Sequence, residues 1–482
     1  MLKHNAGSVV GIAFAGTIAV ALFVLAWLIS NLQLQIAAAI IIGLAVAGLS
    51  FFKQDIAALA IIAAMIFSPE IGLGSLPGRE IVVRFDDVIL IVFFMTWLFK
   101  TAYFKNLNFI RITPLNAPIL AYILAAFIST WVGIANGNVK FAGSILYFIK
   151  YVEYFMIYFM FSNIIRTEQQ LKSFMGMFFA VAAATTMYGL YQMALGIPRI
   201  STPFEGEVTE ANTFGGYLLL VIGLAIAVSL KARTIKTRAA ALAATAILIV
   251  VMIATLSRAS YLGLAMMALL LLIYANRNQR RFLLIAYAVF VAASPLIMPQ
   301  RIKDRVMMPF SGETEQVAPF LSLSPRDSSY TKFESAAWVI DRWKESPVFG
   351  KGVTGVGIVD TQYPRILGEM GVAGAAAFTW LVFSLFSAFR TAMRELKKYP
   401  SDQIWFWRAI VVGYILGFAG ILTHGLAANT FIIVRIMEPF WFLAATVVAI
   451  PHAMAAKFAA PPAPVEKKPE RKYALQPWIE RW

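Results

Sequence analysis

The sequence contains no cysteine, which excludes disulfides and thiolate metal sites. Histidine is almost as scarce: His4, His424 and His452 are all there is, too few for a histidine-built metal cluster. No cofactor and no metal are expected. Charge is scarce as well. Only 14% of residues are charged, against about 25% in soluble globular chains. No internal repeat with a period of roughly 20–50 residues is visible. What fills the 482 residues instead is apolar: 60% are hydrophobic. The net charge of +16 would point to nucleic acid in a soluble protein. Here the basic residues fall between apolar runs, so they speak for membrane topology and no nucleic-acid partner is expected.

A membrane-crossing helix needs roughly 17–25 mostly apolar residues. Candidates lie at 8–30, 33–52, 55–68, 85–103, 117–135, 142–164, 171–195, 213–230, 238–256, 259–276, 282–298, 366–389, 406–427 and 431–450. The fold class that follows is all-α, a polytopic bundle of about 12–14 transmembrane helices. The segment at 55–68 is short and is either a span or a re-entrant piece. Segments 238–256 and 259–276 nearly touch at Ser257-Arg258-Ala259, so the join is a tight turn or a break in one helix. With the N-terminus inside, the inner loops hold Lys53, Lys100, Arg166, Lys231, Arg238, Arg281 and Arg394 among many others, and the short outer loops hold only Arg79, Arg84, Lys140, Arg199 and Arg258. That asymmetry predicts cytoplasmic N- and C-termini. The chain divides into a first bundle part over 1–298, an extracytoplasmic loop over 299–365, a second bundle part over 366–451 and a disordered basic tail over 452–482. Residues 1–30 read as an uncleaved helix, because the apolar run is longer than a signal-peptide core and no small-residue cleavage site follows.

The long outer loop is where chemistry is expected, since loops of this length in compact proteins are functional or disordered. Residues 331–345 predict an amphipathic helix lying on the outer membrane surface. Phe333, Ala336, Ala337, Ile340 and Trp343 share one face, and Thr331 with Glu334 has capping-box spacing. Gly350, Gly352, Gly355 and Gly357 follow Pro347. Such a run is able to approach a phosphate closely, but it lacks the strand-to-helix setting of a nucleotide loop. Three outer arginines stand out: Arg258 in the tight turn, Arg326 before the amphipathic helix and Arg365 at the start of the next span. Guanidinium groups suit bidentate phosphate binding. The alternatives are snorkelling or a salt bridge, the latter for Arg365 with Glu369 four residues on. Within the spans, Lys150 with Glu153 and Arg435 with Glu438 are spaced to pair on one helix face.

Four stretches resemble the O-antigen ligase and polymerase superfamily of membrane glycosyltransferases. They are Glu210-Ala211-Asn212-Thr213-Phe214-Gly215-Gly216-Tyr217; Thr255-Leu256-Ser257-Arg258-Ala259-Ser260-Tyr261-Leu262-Gly263, with alanine where the family has glycine; Ser324-Pro325-Arg326-Asp327-Ser328 through Trp338 to Ser346-Pro347-Val348-Phe349-Gly350; and Asp360-Thr361 followed by Gly371-Val372-Ala373-Gly374. The resemblance covers roughly residues 140–450. It implies a donor glycan carried on a polyprenyl diphosphate, transferred at the outer face without nucleotide sugar or metal. Membrane lipids and other polysaccharide assembly proteins are the further partners it implies. On that reading Arg258 and Arg326 clamp the leaving diphosphate, and Asp360 acts as base or orienting carboxylate or caps its helix. Asn212, Tyr330, Arg365 and Glu369 line the substrate.

Ligases of the family carry histidine where this chain has Asp360. The difference favours a polymerase of undecaprenyl-diphosphate-linked repeat units of O-antigen, capsule or exopolysaccharide, in the bacterial inner membrane. The alternatives are a ligase that moves glycan to another acceptor and, from a different class, a secondary transporter or lipid flippase. A transporter predicts inverted repeats and broken helices at the midplane.

Overall fold

The computed structural model describes residues 43, 45–76, 79–103, 111–204, 210–297, 299–318, 321–357 and 359–459. The expected span at 8–30, most of that at 33–52 and the expected tail from 460 onward lie outside the described residues. From residue 54 onward the chain runs α1 (Gln54–Phe67), a hairpin of β1 (Glu70–Leu76) and β2 (Arg79–Arg84), then α2 (Phe85–Tyr103), α3 (Asn116–Ala135), α4 (Phe141–Ile164) and α5 (Glu168–Ala194). It continues with α6 (Ala211–Lys231), α7 (Ile235–Ala254), α8 (Arg258–Tyr274), α9 (Arg277–Ile297) and the short α10 (Gln300–Met307). A small hairpin, β3 (Glu315–Ala318) with β4 (Leu321–Leu323), precedes α11 (Ser328–Trp343), α12 (Gln362–Leu396), α13 (Ser401–His424) and α14 (Val434–Phe458). Every apolar segment read from residue 55 onward is a helix. The last span runs to Phe458, past the expected end of the bundle at 451.

Among the described residues eight helices are long and apolar enough to cross a membrane: α3 to α7 and α12 to α14. At 1.5 Å per residue the 20 residues of α3 reach about 30 Å, the thickness of a hydrocarbon core. The architecture is therefore an all-α polytopic bundle. Helices α6, α13 and α14 are the most enclosed. Helix α13 meets α6 and α8 backbone to backbone, because glycines line the seam. A Cβ on Gly223 would stand 2.6 Å from the Gly413 carbonyl oxygen, and one on Gly263 would stand 2.7 Å from that of Gly420. Small residues at such contacts drive helix association where no hydrophobic effect separates helix from lipid. Aromatic edge contacts of Trp441 with Phe155, Tyr158 and Phe440 join α4 to α14, and Phe440 continues to Phe418 on α13.

Three points of ambiguity in the sequence resolve through local chemistry. The 238–276 region is two helices, not one broken one: Leu256 takes φ 52, and the Ser257 side chain accepts from the Ser260 amide to cap α8. The short α1 ends inside the bundle because two arginines take its last carbonyls. Arg84 donates to Met65 at 2.8 Å and Arg435 to Ile66 at 2.9 Å, groups that a helix end leaves unpaired. That use of Arg435, which also donates to the carbonyls of Ser68, Pro203 and Phe204, turns it from the expected partner. Glu438 instead lies 3.8 Å from Arg84. The pairing of Lys150 with Glu153 is present, at 3.1 Å. Among the described side chains of α9 none is buried, and Phe282, Ile285, Val289 and Leu296 stand outward, as on a helix whose surroundings are lipid.

Helix α11 lies within the expected loop but is shifted and rotated. Its N-cap is Asp327, whose side chain accepts from the Ser329 amide at 2.7 Å, so the capping box at Thr331 is not used. Val339 is its one buried side chain, and it meets Gly368 of α12. The expected apolar face is mostly outward: Phe333 is 44% and Ile340 41% exposed. Packing on α12 selected the Lys332–Val339–Trp343 side, because Gly368 offers a notch there that Val339 fills.

Candidate functional site

The turn between α7 and α8 is the foundation of the site. Its last carbonyls carry the negative end of α7, and two arginines grip them: Arg199 Nε donates to Thr255 O at 3.2 Å and Arg305 Nε to Leu256 O at 3.3 Å. Directly after the turn, Arg258 reaches out to the loop. Its Nη1 donates to Asp327 Oδ2 at 2.9 Å and its Nη2 to Ser328 Oγ at 2.8 Å. Arg258 thus pins the start of α11. Burial opposes ionisation of Asp327, but the hydrogen bonds from Arg258 and Ser329 hold its carboxyl below the ordinary aspartate value. Asn212, at the start of α6, accepts from Ser257 Oγ at 2.7 Å. It braces the cap from which Arg258 projects.

Lys332 completes the cluster. Its Nζ donates to Ala427 O at 2.6 Å. Burial lowers its pKa, the nearby Asp360 carboxylate raises it, and Arg258, Arg305 and Arg199 lower it again. Arg305 is likewise lowered, by burial first and then by Arg258 and Arg199. Four cations therefore lie within electrostatic reach of one another, and Asp327 and Asp360 are the acids among them. An excess of positive charge held at this density favours an anionic ligand. Asp360 itself is exposed. Arg326 is exposed next to Asp327. Tyr330 donates to Glu315 Oε2 at 2.6 Å, which ties α11 to the small hairpin, and that bond pushes its hydroxyl up to about 12.

Arg365 and Glu369 are elsewhere. They form a buried pair on α12 at 3.0 Å, 2% and 0% exposed. Glu369 also accepts from the Thr354 amide at 3.0 Å and from the Tyr151 hydroxyl at 3.4 Å. The pair fastens the glycine-rich return of the loop to the bundle. That return is packed against a break in α12. Gly371 has φ 62 and ψ −161, and the opened turn bonds to the loop through Val372 N to Pro347 O at 2.9 Å and Ala373 N to Val348 O at 3.1 Å. Gly350, at φ 68, would put a Cβ 2.5 Å from the Glu369 backbone. These glycines serve backbone-to-backbone packing and not phosphate approach.

The structure thus brings together Arg258, Asp360 and Asn212 with three residues that sequence reasoning did not select: Arg199, Arg305 and Lys332. Arg199 was visible as a basic residue in an outer loop. Nothing in the local pattern marked Arg305 or Lys332, which share the loop with several other basic residues. His424 also lies nearby. It is buried, bonds Thr430 Oγ1 through Nδ1 at 2.7 Å and feels Lys332. Among the described residues no group of histidine and acidic side chains is arranged to hold a metal ion.

The fold is that of a multi-pass membrane protein, and its cation cluster lies at helix ends, in and beside a structured loop. A family model described as O-Antigen ligase matches residues 243–379, the segment that carries α8, the loop and the break in α12. Over that segment the chain is similar to the O-antigen ligase family, a match that supports the O-antigen ligase and polymerase superfamily. No curated protein matches the chain.

Proposed function

We propose that the protein is a metal-independent membrane glycosyltransferase that polymerises undecaprenyl-diphosphate-linked oligosaccharide repeat units at the outer face of the bacterial inner membrane. The observation that carries this reading is the convergence of Arg199, Arg258, Arg305 and Lys332 within and beside the matched segment. Both termini are cytoplasmic in this reading, as the basic inner loops support, and the 299–365 loop faces outward. The cations hold the diphosphate and stabilise the charge that develops on it as the anomeric carbon–oxygen bond breaks. Arg326, exposed just before the Asp327 cap of α11, is a further member of the clamp. An acceptor hydroxyl attacks the anomeric carbon and passes its proton to Asp360. Arg365 and Glu369 contribute by holding the loop that ends at Asp360.

Asp360 in place of the ligases' histidine supports a polymerase over a ligase, which would use the same cations with a different acceptor. A transporter is disfavoured by the position of the cluster, which sits at helix ends and in a loop, away from mid-helix. Purified protein incubated with lipid-linked repeat units tests the proposal by product size. A ladder is expected. A single addition to a foreign acceptor makes it a ligase, and no glycosyl transfer at all refutes the reading.

A further inference from the structure

Four carboxyl and two basic side chains meet where α2, α4 and α14 adjoin, outside the site described above. Asp86 and Asp87 open α2 directly after Arg84, Lys150 and Glu153 come from α4, and Glu438 comes from α14. Arg84 pairs with Asp86 and lies 3.8 Å from Glu438. Lys150 pairs with Asp87 and, at 3.1 Å, with Glu153. The acids also meet one another, Asp87 with Glu153 and Asp86 with Glu438, within hydrogen-bonding reach. Asp86, Glu153 and Glu438 are 2%, 3% and 1% exposed. One oxygen on each acid is buried without a donor: Asp86 Oδ1, Asp87 Oδ1, Glu153 Oε1 and Glu438 Oε2. The neighbouring titratable groups do not supply one. Arg435, one turn before Glu438, is turned to four backbone carbonyls, and Tyr154, next to Glu153, donates to Phe431 O. Helix α1 offers the Met65 carbonyl, and the residue that follows it, Ser68, bonds the Asp86 amide.

Ionised carboxylates only accept hydrogen bonds, so two of them cannot bond each other unless one holds a proton. Four carboxylates against two cations would also leave an excess of negative charge in a medium where unpaired charge costs several kcal/mol. We propose that this cluster is a proton-binding site that holds two protons at neutral pH, one shared by Asp87 and Glu153 and the other by Asp86 and Glu438. Each proton turns one orphaned oxygen into a donor and satisfies the oxygen facing it. The two carboxylates left ionised are balanced by Arg84 and Lys150, and the cluster becomes neutral. Protons fit better than a metal ion, since among the described residues no acidic group has the arrangement of a metal site. The occupied cluster then bonds α2, α4 and α14 to one another, and its loss of protons in alkali turns both acid pairs into repulsive contacts. This inference does not depend on the glycosyl-transfer reading.

Infrared spectroscopy of the purified full-length protein in lipid nanodiscs tests it directly. At about pH 8 carboxyl groups of ordinary pKa are ionised, so the carbonyl stretch of a protonated carboxylic acid that persists there, and shifts in D2O, reports the bound protons. Glu153→Gln and Glu438→Gln are each expected to remove about half of that absorbance, and the double variant nearly all of it. Asp87→Asn and Asp86→Asn probe the same pairs should a glutamine variant fail to fold. Absence of the band from the unsubstituted protein overturns the proposal, as does a band that survives the double substitution. A band that disappears when sodium or potassium replaces choline in the buffer assigns the cluster to a metal cation and overturns it too.

Discussion

Alanine at Gly371 probes the joint on which the proposed site is mounted. The residue holds φ 62 and ψ −161 in the middle of α12, a conformation open essentially to glycine alone, and an alanine forced there costs about 1–3 kcal/mol. Its Cβ would also stand 2.3 Å from the Val348 carbonyl oxygen and 2.7 Å from the Gly350 nitrogen. Both are backbone atoms, so no side chain can swing clear and the loop strand must move. Moving it breaks the bonds from Val372 to Pro347 and from Ala373 to Val348, worth about 0.5–1.5 kcal/mol each. The expected loss is about 2–6 kcal/mol in all. Gly312→Ala supplies the comparison, since Gly312 has φ 79 with nothing within 4 Å of an added Cβ and should cost only the backbone preference, about 1–2 kcal/mol. Thermal unfolding of both variants in one detergent, together with limited proteolysis of the 344–361 segment, gives the measurement. Gly371→Ala should unfold at a clearly lower temperature and be cut faster in the loop. If its midpoint falls no further than that of Gly312→Ala, the loop is not locked to the broken helix and the account of how Asp360 is held fails.

Three other perturbations address the site. Arg305→Ala removes a cation of the cluster without touching the cap of α11; losing one charge-assisted bond of about 1.5–3 kcal/mol should raise the KM for the lipid-linked donor roughly ten- to hundredfold, and an unchanged KM would remove Arg305 from the donor site. Asp360→Asn should lower kcat by about 10²–10⁴ with little change in donor binding, whereas full turnover would leave that residue a structural role only. The depressed carboxyl of Asp327 carries a pH signature: a folded pKa below the ordinary 3.8 means its contribution to stability is complete above that value and is lost as pH falls through the folded pKa. The thermal midpoint of the unsubstituted protein should therefore drop more steeply below about pH 4 than that of Asp327→Asn, and parallel profiles would contradict the Arg258–Asp327 pairing.

The spans were legible because membrane helices announce themselves in one dimension: length and apolarity are local properties, and the segment at 366–389, for example, is read without knowing its neighbours. The loop was legible for the same reason, as the long polar interval between two such segments. Its internal geometry was not. The face of α11 that turns inward depends on Gly368 and Val339 meeting across two elements, and periodicity alone cannot distinguish a face packed on protein from one left outward. The cap at Asp327 took precedence over the capping box at Thr331 because Arg258, remote in sequence, pairs with it.

Local spacing misled in the same way for the charged residues. Arg435 and Glu438 are spaced to pair, yet Arg435 serves the carbonyls at the end of α1 and beside Pro203. Gly350 and Gly352 belong to a run able to approach a phosphate, yet they pack against the backbone of Glu369 and of Gly133 and Ser129. What the sequence by itself determined is the class: a chain too apolar and too poor in charge to fold except as a helical bundle in lipid, with Arg258 in a tight turn and Asp360 in a long polar loop. What only the tertiary structure decided is which charges meet. Arg199, Arg258, Arg305 and Lys332 come from one connecting segment and three helices, and Arg84, Asp86, Asp87, Lys150, Glu153 and Glu438 from one strand and three helices. Electrostatic interaction depends on distance in space, and helix packing sets that distance independently of separation along the chain.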